Sequence, residues 1–286
     1  MNSSAIESEL LRRCNQARVE ALWQFARHQR GGERRIFPDG GMVRCDVPAD
    51  AANILYLCEP HPPYEGRLRE AAEFFGPKVP WRIMVSGGHS DEIGELAVRR
   101  GLRVRPSEPC MVLDPIPDPP PSPSNLSIRT VTSSSELADF GIPWCKGFGI
   151  PSMAFPIVFR EVPPDDPVQE TTIRLFVGYE AGAPVACSAV AVYRGVGEIG
   201  SVAVVPASRR RGYGEALTWR AAFAAREAGA RIASLEATAM GFPVYAKMGF
   251  RRVCDINIWA VHWGFFRTLG ALRTLRKLAD WRPPRA

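Results

Sequence analysis

The chain runs to 286 residues, 46% hydrophobic and 23% charged, which suits about two soluble globular domains. Of its formal net charge of +6, residues 263–286 alone carry +5 (five Arg and one Lys against one Asp), so the body is near neutral and nucleic acid is not expected as a main partner. Scattered cysteines (14, 45, 58, 110, 145, 187 and 254), dispersed histidines and the lack of an apolar leader or an apolar run of about 18 residues exclude a disulfide frame, a zinc site and a membrane span, and point to a cytoplasmic protein without a metal.

The first element is an amphipathic helix over 6–28, with Leu10, Leu11, Ala17, Val19, Leu22 and Phe25 on its apolar side and packing across a sheet as its expected role. A loop at 59–67 with one glycine precedes a strand at 81–86, a helix ending near Gly101 and a strand at 110–113. Residues 114–125 then hold six prolines, which predicts a stiff linker without helix or sheet. Beyond it a segment rich in apolar and aromatic residues (Trp144, Phe148, Met153, Phe155) is either helix core or the lining of a pocket.

Next comes a hairpin, 173–179 and 184–193, turning at Gly182, followed by a turn at 194–197 and a strand over 198–205. Residues 202–214 read as the end of that strand, a proline stop, and a loop of Arg209, Arg210, Arg211, Gly212, Tyr213 and Gly214 that opens directly into a helix from Glu215 to Ala228. Glycines let the backbone approach a ligand, and a helix start offers unpaired N–H groups at its positive end, so this is a phosphate site. A dinucleotide-binding turn is the rival, but Leu217 stands where its third glycine belongs and antiparallel hairpins precede it. A strand at 231–237, a short helix in 242–250 and a strand near 256–261 complete the body. The spacing from Ile83 to Gly101 is 18 positions and from Ile232 to Gly249 is 17, so the first half echoes the second.

Arg209, Gly212 and Gly214 fit Arg/Gln-x-x-Gly-x-Gly/Ala, and Tyr245, Gly249 and Phe250 fit Tyr-x-x-x-Gly-Phe; with the order of elements around them, the chain resembles the GNAT superfamily of acetyl-CoA-dependent N-acetyltransferases. The resemblance implies an α/β (α+β) fold, a mixed and mainly antiparallel sheet flanked by helices, in two tandem GNAT-like domains. These are a degenerate one at 1–114 without the phosphate cradle, a linker at 115–126, an acetyl-CoA-binding one at 127–262, and a basic tail at 263–286. An unrelated α/β domain remains the alternative for the first half.

It also implies that acetyl-CoA is held at its pyrophosphate by the loop Arg209, Arg210, Arg211, Gly212, Tyr213, Gly214 and Glu215, and at its pantetheine by the backbone of Val202, Ala203 and Val204. Tyr245 is the implied general acid beside the sulfur, and Glu198 the implied base for the acceptor amine, with Glu236 a second candidate. The function expected is transfer of an acetyl group to a primary amine of a small molecule or peptide; the alternative is an acyl-CoA-binding regulatory protein without turnover. In the tail, Phe266, Leu269, Leu272, Leu275 and Leu278 recur every three residues among basic ones, either a helix packed on the body or, less favoured, a membrane contact.

Overall fold

The structure is a computed structural model that describes residues 3–261 apart from 28, 30, 48, 59, 78, 88–89, 153–154 and 160–170. The basic tail at 263–286 lies outside the described residues. In chain order the elements are α1 (Ser3–Ala26), β1 (Glu33–Phe37), β2 (Gly40–Arg44), β3 (Ile54–Cys58), α2 (Tyr64–Phe75), β4 (Arg82–Ser86), α3 (Ser90–Arg99) and β5 (Leu102–Leu113). After the proline-rich stretch follow β6 (Ser127–Thr130), α4 (Ser134–Phe148), α5 (Phe155–Val158), β7 (Thr171–Glu180), β8 (Ala183–Tyr193), β9 (Val196–Val204), α6 (Tyr213–Glu227), β10 (Ile232–Glu236), α7 (Phe242–Lys247) and β11 (Arg251–Val261). The succession strand, strand, strand, helix, strand, helix, strand therefore occurs twice, from β1 to β5 and from β7 to β11.

Two compact units form, and each draws on both halves of the chain. Of the described residues, the larger takes those within 3–24, 108–152 and 171–255, and the smaller those within 25–107, 155–159 and 256–261. In the smaller unit the strands run β1, β2, β3, β4, β11, all antiparallel except β3 beside β4. There β3 pairs with β4 to its last residue, Ile54 opposite Arg82 through Cys58 opposite Ser86, and no gap opens between the two parallel strands. Its core gathers Met42, Leu55, Leu57, Phe75, Ile83 and Val85 with Trp259 from β11, and the Phe75 and Trp81 rings stack at 5.0 Å.

In the larger unit the order is β5, β10, β9, β8, β7, β6, again antiparallel except for one parallel pair, β9 with β10. Side-chain alternation assigns the two faces. On one, α6 presents Ala221, Ala222, Ala224 and Ala225, all fully buried, which lets the helix lie close against Ile199, Ala233 and Leu235. On the other, Leu10, Cys14 and Ala17 of α1 cover Val112, Val196 and Ile232. Helix α4 starts at a capping box in which Glu136 N–H donates to Ser133 Oγ at 3.3 Å and Ser133 N–H to Glu136 Oε2 at 3.1 Å.

The close fit of α6 has a testable cost. A Cβ on Gly197 would sit 2.3 Å from the Cβ of Ala225. Gly197→Val is expected to lower stability by about 1–3 kcal/mol through overpacking, read as a reduced midpoint in urea unfolding with the slope unchanged.

Residues 114–126 carry neither helix nor strand, and they are anchored on the larger unit. Ile116 is buried and its N–H donates to Arg231 O at 3.0 Å, while Asp118 pairs with Arg226 at 2.7 Å. The stretch is a strap packed along the body.

Candidate active site

The parallel pair β9 and β10 holds register only from Val196 opposite Ile232 to Ile199 opposite Leu235. Strand β9 continues through Gly200–Val204, whereas the chain after β10 turns the other way, Ala237 N–H donating to Pro109 O at 2.9 Å. The two strands thus part like a wedge with its apex at Ile199. A bulge in β9 assists. Between Cys187 opposite Ala203 and Ala189 opposite Gly200, Ser188 faces two residues, and Ser201 takes a left-handed φ of 54°. Val205 N–H donates to Val185 O at 2.9 Å on the β8 side. By alternation the backbone of Ala203 also faces β8, and the backbones of Val202 and Val204 face the open side.

The loop after β9 passes through a single 3-10 turn, Pro206–Ser208, and reaches α6 by way of Arg210 and Gly212, at φ of 62° and 78°. Gly212 is the N-cap of α6 and has no side chain to satisfy the first-turn N–H groups of Tyr213, Gly214 and Glu215. The three arginines divide their work. Arg209 is a staple, its guanidinium donating to Val204 O at 3.3 Å and Gly147 O at 3.0 Å. Arg211 pairs with Glu180 at 2.9 Å, and the Tyr213 hydroxyl donates to the same carboxylate at 2.6 Å. Asn125 of the strap bonds the Tyr213 hydroxyl as well, at 2.5 Å. Arg210 is exposed. The loop backbone, the α6 start and Arg210 therefore fit an anionic group, and the edge of β9 at the Val202 backbone and the Val204 N–H fits an amide-bearing chain, the Val204 carbonyl being held by Arg209. Glu180 and Asn125 were not legible as partners, because neither carries a pattern in the sequence.

Tyr245 lies on α7, on the α6 face, 8% exposed. Its ring rests on Gly241, where a Cβ would come within 2.7 Å of it, and beside Phe250 at 6.0 Å. Burial lifts its phenol to about 12, against the opposing effect of a hydrogen bond with Thr218. It stays protonated at working pH.

Glu198 lies on the opposite face, opposite Ser234 in register and one residue before the apex of the wedge, 8% exposed. Arg18 of α1 donates from Nε to Glu198 Oε1 at 3.0 Å, and Ser234 Oγ donates to Glu198 Oε2. Glu236 Oε1 is 2.7 Å from the same Nε without hydrogen-bond alignment. Burial pushes the Glu198 carboxyl up to about 7; Arg18 opposes this and Glu236 adds to it. Tyr245 thus lies on the α6 face of the sheet, and Glu198 lies on the α1 face one residue before the apex of the wedge. Among the described residues no group of three or more His, Cys, Asp or Glu is placed to hold a metal.

A family model described as an acetyltransferase (GNAT) domain matches residues 171–252, from β7 into β11. Among solved structures, a GCN5-related N-acetyltransferase from Kribbella flavida is 19% identical and superposes at a TM-score of 0.62, covering 87% of this chain and 96% of its own. Another GCN5-related N-acetyltransferase, from Sphaerobacter thermophilus, is 17% identical with a TM-score of 0.52, covering 79% and 82%. A tandem GNAT protein from the clavulanic acid biosynthesis pathway is 11% identical with a TM-score of 0.51, covering 87% and 94%. At such identities the structures speak to fold alone, and no curated protein matches in sequence. The match spans the hairpin, the parted strand, the glycine loop and Tyr245, so residues 171–252 are the part of this chain that is similar to the acetyltransferase (GNAT) domain.

Proposed function

We propose that the larger unit binds acetyl-CoA and transfers its acetyl group to a primary amine of a small molecule or peptide by direct attack. The observation that carries this is the parting of β9 from β10 just after Glu198, with the open edge of β9 leading into the glycine loop at the start of α6. Acetyl-CoA supplies an activated acetyl thioester. The N–H groups of Tyr213, Gly214 and Glu215, with Arg210 and the loop backbone from Arg209 to Gly212, hold its pyrophosphate; Val202 and Val204 hold the pantetheine amides through their backbones. Glu198 takes the proton of the attacking amine, and Tyr245 donates one toward the departing sulfur.

The first half serves as scaffold or lid. Its β3 and β4 pair to the end and its 59–67 loop lacks the glycine frame, so it offers neither wedge nor cradle. On this reading the chain divides as 1–114, 115–126, 127–262 and 263–286, and it works in the cytoplasm. Among the described residues no helix is long and apolar enough to cross a membrane.

Calorimetric titration of acetyl-CoA tests the cradle. Wild type is expected to bind in the micromolar range, and an Arg210→Glu, Gly212→Asp double variant to lose about 100-fold, because it turns the helix start anionic and strains a left-handed position. Equal affinity in the two proteins would remove the loop from the site.

Tyr245→Phe is expected to lower kcat by about 100-fold or more at unchanged acetyl-CoA affinity. An unchanged kcat would dismiss Tyr245 as the acid.

A second reading, an acyl-CoA-binding protein without turnover, is favoured by one observation: Glu198 is held under Arg18. Release of free thiol from acetyl-CoA in the presence of an amine panel separates the two.

A further inference from the structure

Every polar atom of the Arg18 guanidinium has work. Besides the two carboxylates at Nε, Nη1 donates to Asn15 Oδ1 at 3.0 Å, and Nη2 reaches Ser234 Oγ at 3.3 Å and Cys110 Sγ at 3.5 Å. The side chain is 4% exposed, Glu198 9% and Glu236 23%. One cation thus sits between two carboxylates that belong to neighbouring parallel strands, two positions apart in register. Taking ions out of water is costly unless they are paired. The guanidinium carries one positive charge and can neutralise only one of the two carboxylates, so the charge on Glu198 depends on Glu236.

We propose that Arg18 is a positioning residue for Glu198: delivered from α1, it donates its Nε–H to Glu198 while Glu236 competes for its charge, fixes the direction of the Glu198 carboxylate beside the apex of the wedge, and favours its ionised form. The inference rests on the reading of Glu198 as the base. Ser234 and Arg18 occupy one lone pair on each Glu198 oxygen and so orient the plane of the group. Glu236, nearer solvent and lacking an aligned donor at Oε1, acts as the counterweight.

Other groups among the described residues also face the cluster. Cys14 and Asn15 come from α1, Cys110 from β5 beside Glu236 in register, Cys254 from β11 in contact with Cys110, and Ala191 of β8 lies opposite Glu198. Burial drives the Cys14 thiol up, so it stays neutral; the Cys254 thiol and Arg18 draw Cys110 down.

The test is the titration of the Glu198 carboxyl in the full chain labelled with carboxyl-13C glutamate, its resonance assigned by its loss in Glu198→Gln. Arg18→Gln is expected to move the midpoint up by about one pH unit or more, since the compensating cation is gone. Glu236→Gln is expected to move it down by a similar amount, since Arg18 then serves Glu198 alone. Arg18→Lys is expected to return it toward wild type.

A role in packing alone would leave the midpoint in place, so an unmoved midpoint in Glu236→Gln overturns the inference. So does a lysine at 18 that titrates like glutamine. Where Arg18→Gln fails to fold, Glu236→Gln decides by itself. Failure of the acetyl-transfer reading looks different: the carboxyl shifts persist and the wild type releases no thiol from acetyl-CoA.

Discussion

Glu198→Gln is expected to lower kcat/KM by about 100- to 10,000-fold, the usual contribution of a general base, while acetyl-CoA affinity and the fold are retained. Glutamine keeps the size and the acceptor oxygen for Arg18 but cannot take a proton. Stability is expected to move the other way. Burial raises the folded-state value of Glu198 to about 7 from an ordinary 4.5, so its contribution is fully present below 4.5 and is lost as pH rises through about 7. Glutamine is spared that loss and leaves Arg18 to pair with Glu236, so the variant gains stability relative to wild type as pH rises from about 5 to 8. The wild-type pH–rate profile should have an acid limb near 7, where the carboxylate forms. A thiol-release assay and a thermal melt at pH 5 and pH 8 check both halves. Full activity in Glu198→Gln would end the base assignment, and a lower melting temperature at pH 8 would show that the cluster is held mainly by the Glu198 charge.

Much of the second half was legible because its geometry is local. The turn between β7 and β8 takes Ala181 and Gly182 at φ of 48° and 79°, and that between β8 and β9 takes Arg194 and Gly195 at 45° and 77°. Two consecutive left-handed residues suit the twist of a hairpin, and a glycine in the second place marks both turns in the sequence. The succession of β9, a loop with glycines and α6 was legible for the same reason, whereas the distant partners of its side chains, Gly147, Glu180 and Asn125, were not. The bulge at Ser201 was not. A serine carries no sign of a left-handed φ, and what selects it is the pairing with β8.

Nor did the sequence reveal that each unit draws on both halves of the chain, since β5 and β11 finish beside strands of the other half only through tertiary pairing. Arg18 was missed although a signal existed. It stands four residues after Cys14 and next to Ala17, on the apolar stripe of α1, and a charge on a buried stripe demands a buried partner. Glu198 lies 180 positions away. Nothing in one sequence connects the two.

Deleting residues 2–24 is expected to abolish cooperative folding of the larger unit, although the matched domain begins at 171. Two losses combine. Leu10, Leu11, Cys14 and Ala17 leave with α1, at about 1–3 kcal/mol for each large side chain, and Val112, Val196 and Ile232 become wet. Arg18 leaves as well, and removing one partner from a buried ion cluster costs about 3–5 kcal/mol. Their sum reaches the roughly 5–15 kcal/mol that holds a domain folded. Loss of near-ultraviolet circular dichroism and of a sharp thermal transition is the expected result. Adding Glu198→Gln and Glu236→Gln to the deletion separates the two terms, because neutral side chains no longer need Arg18 whereas the apolar face stays bare. Partial recovery by that pair assigns the difference to the ion cluster. A deletion variant that still melts cooperatively and binds acetyl-CoA would show that α1 is dispensable to the domain, and that the buried carboxylates find their counter-charge elsewhere.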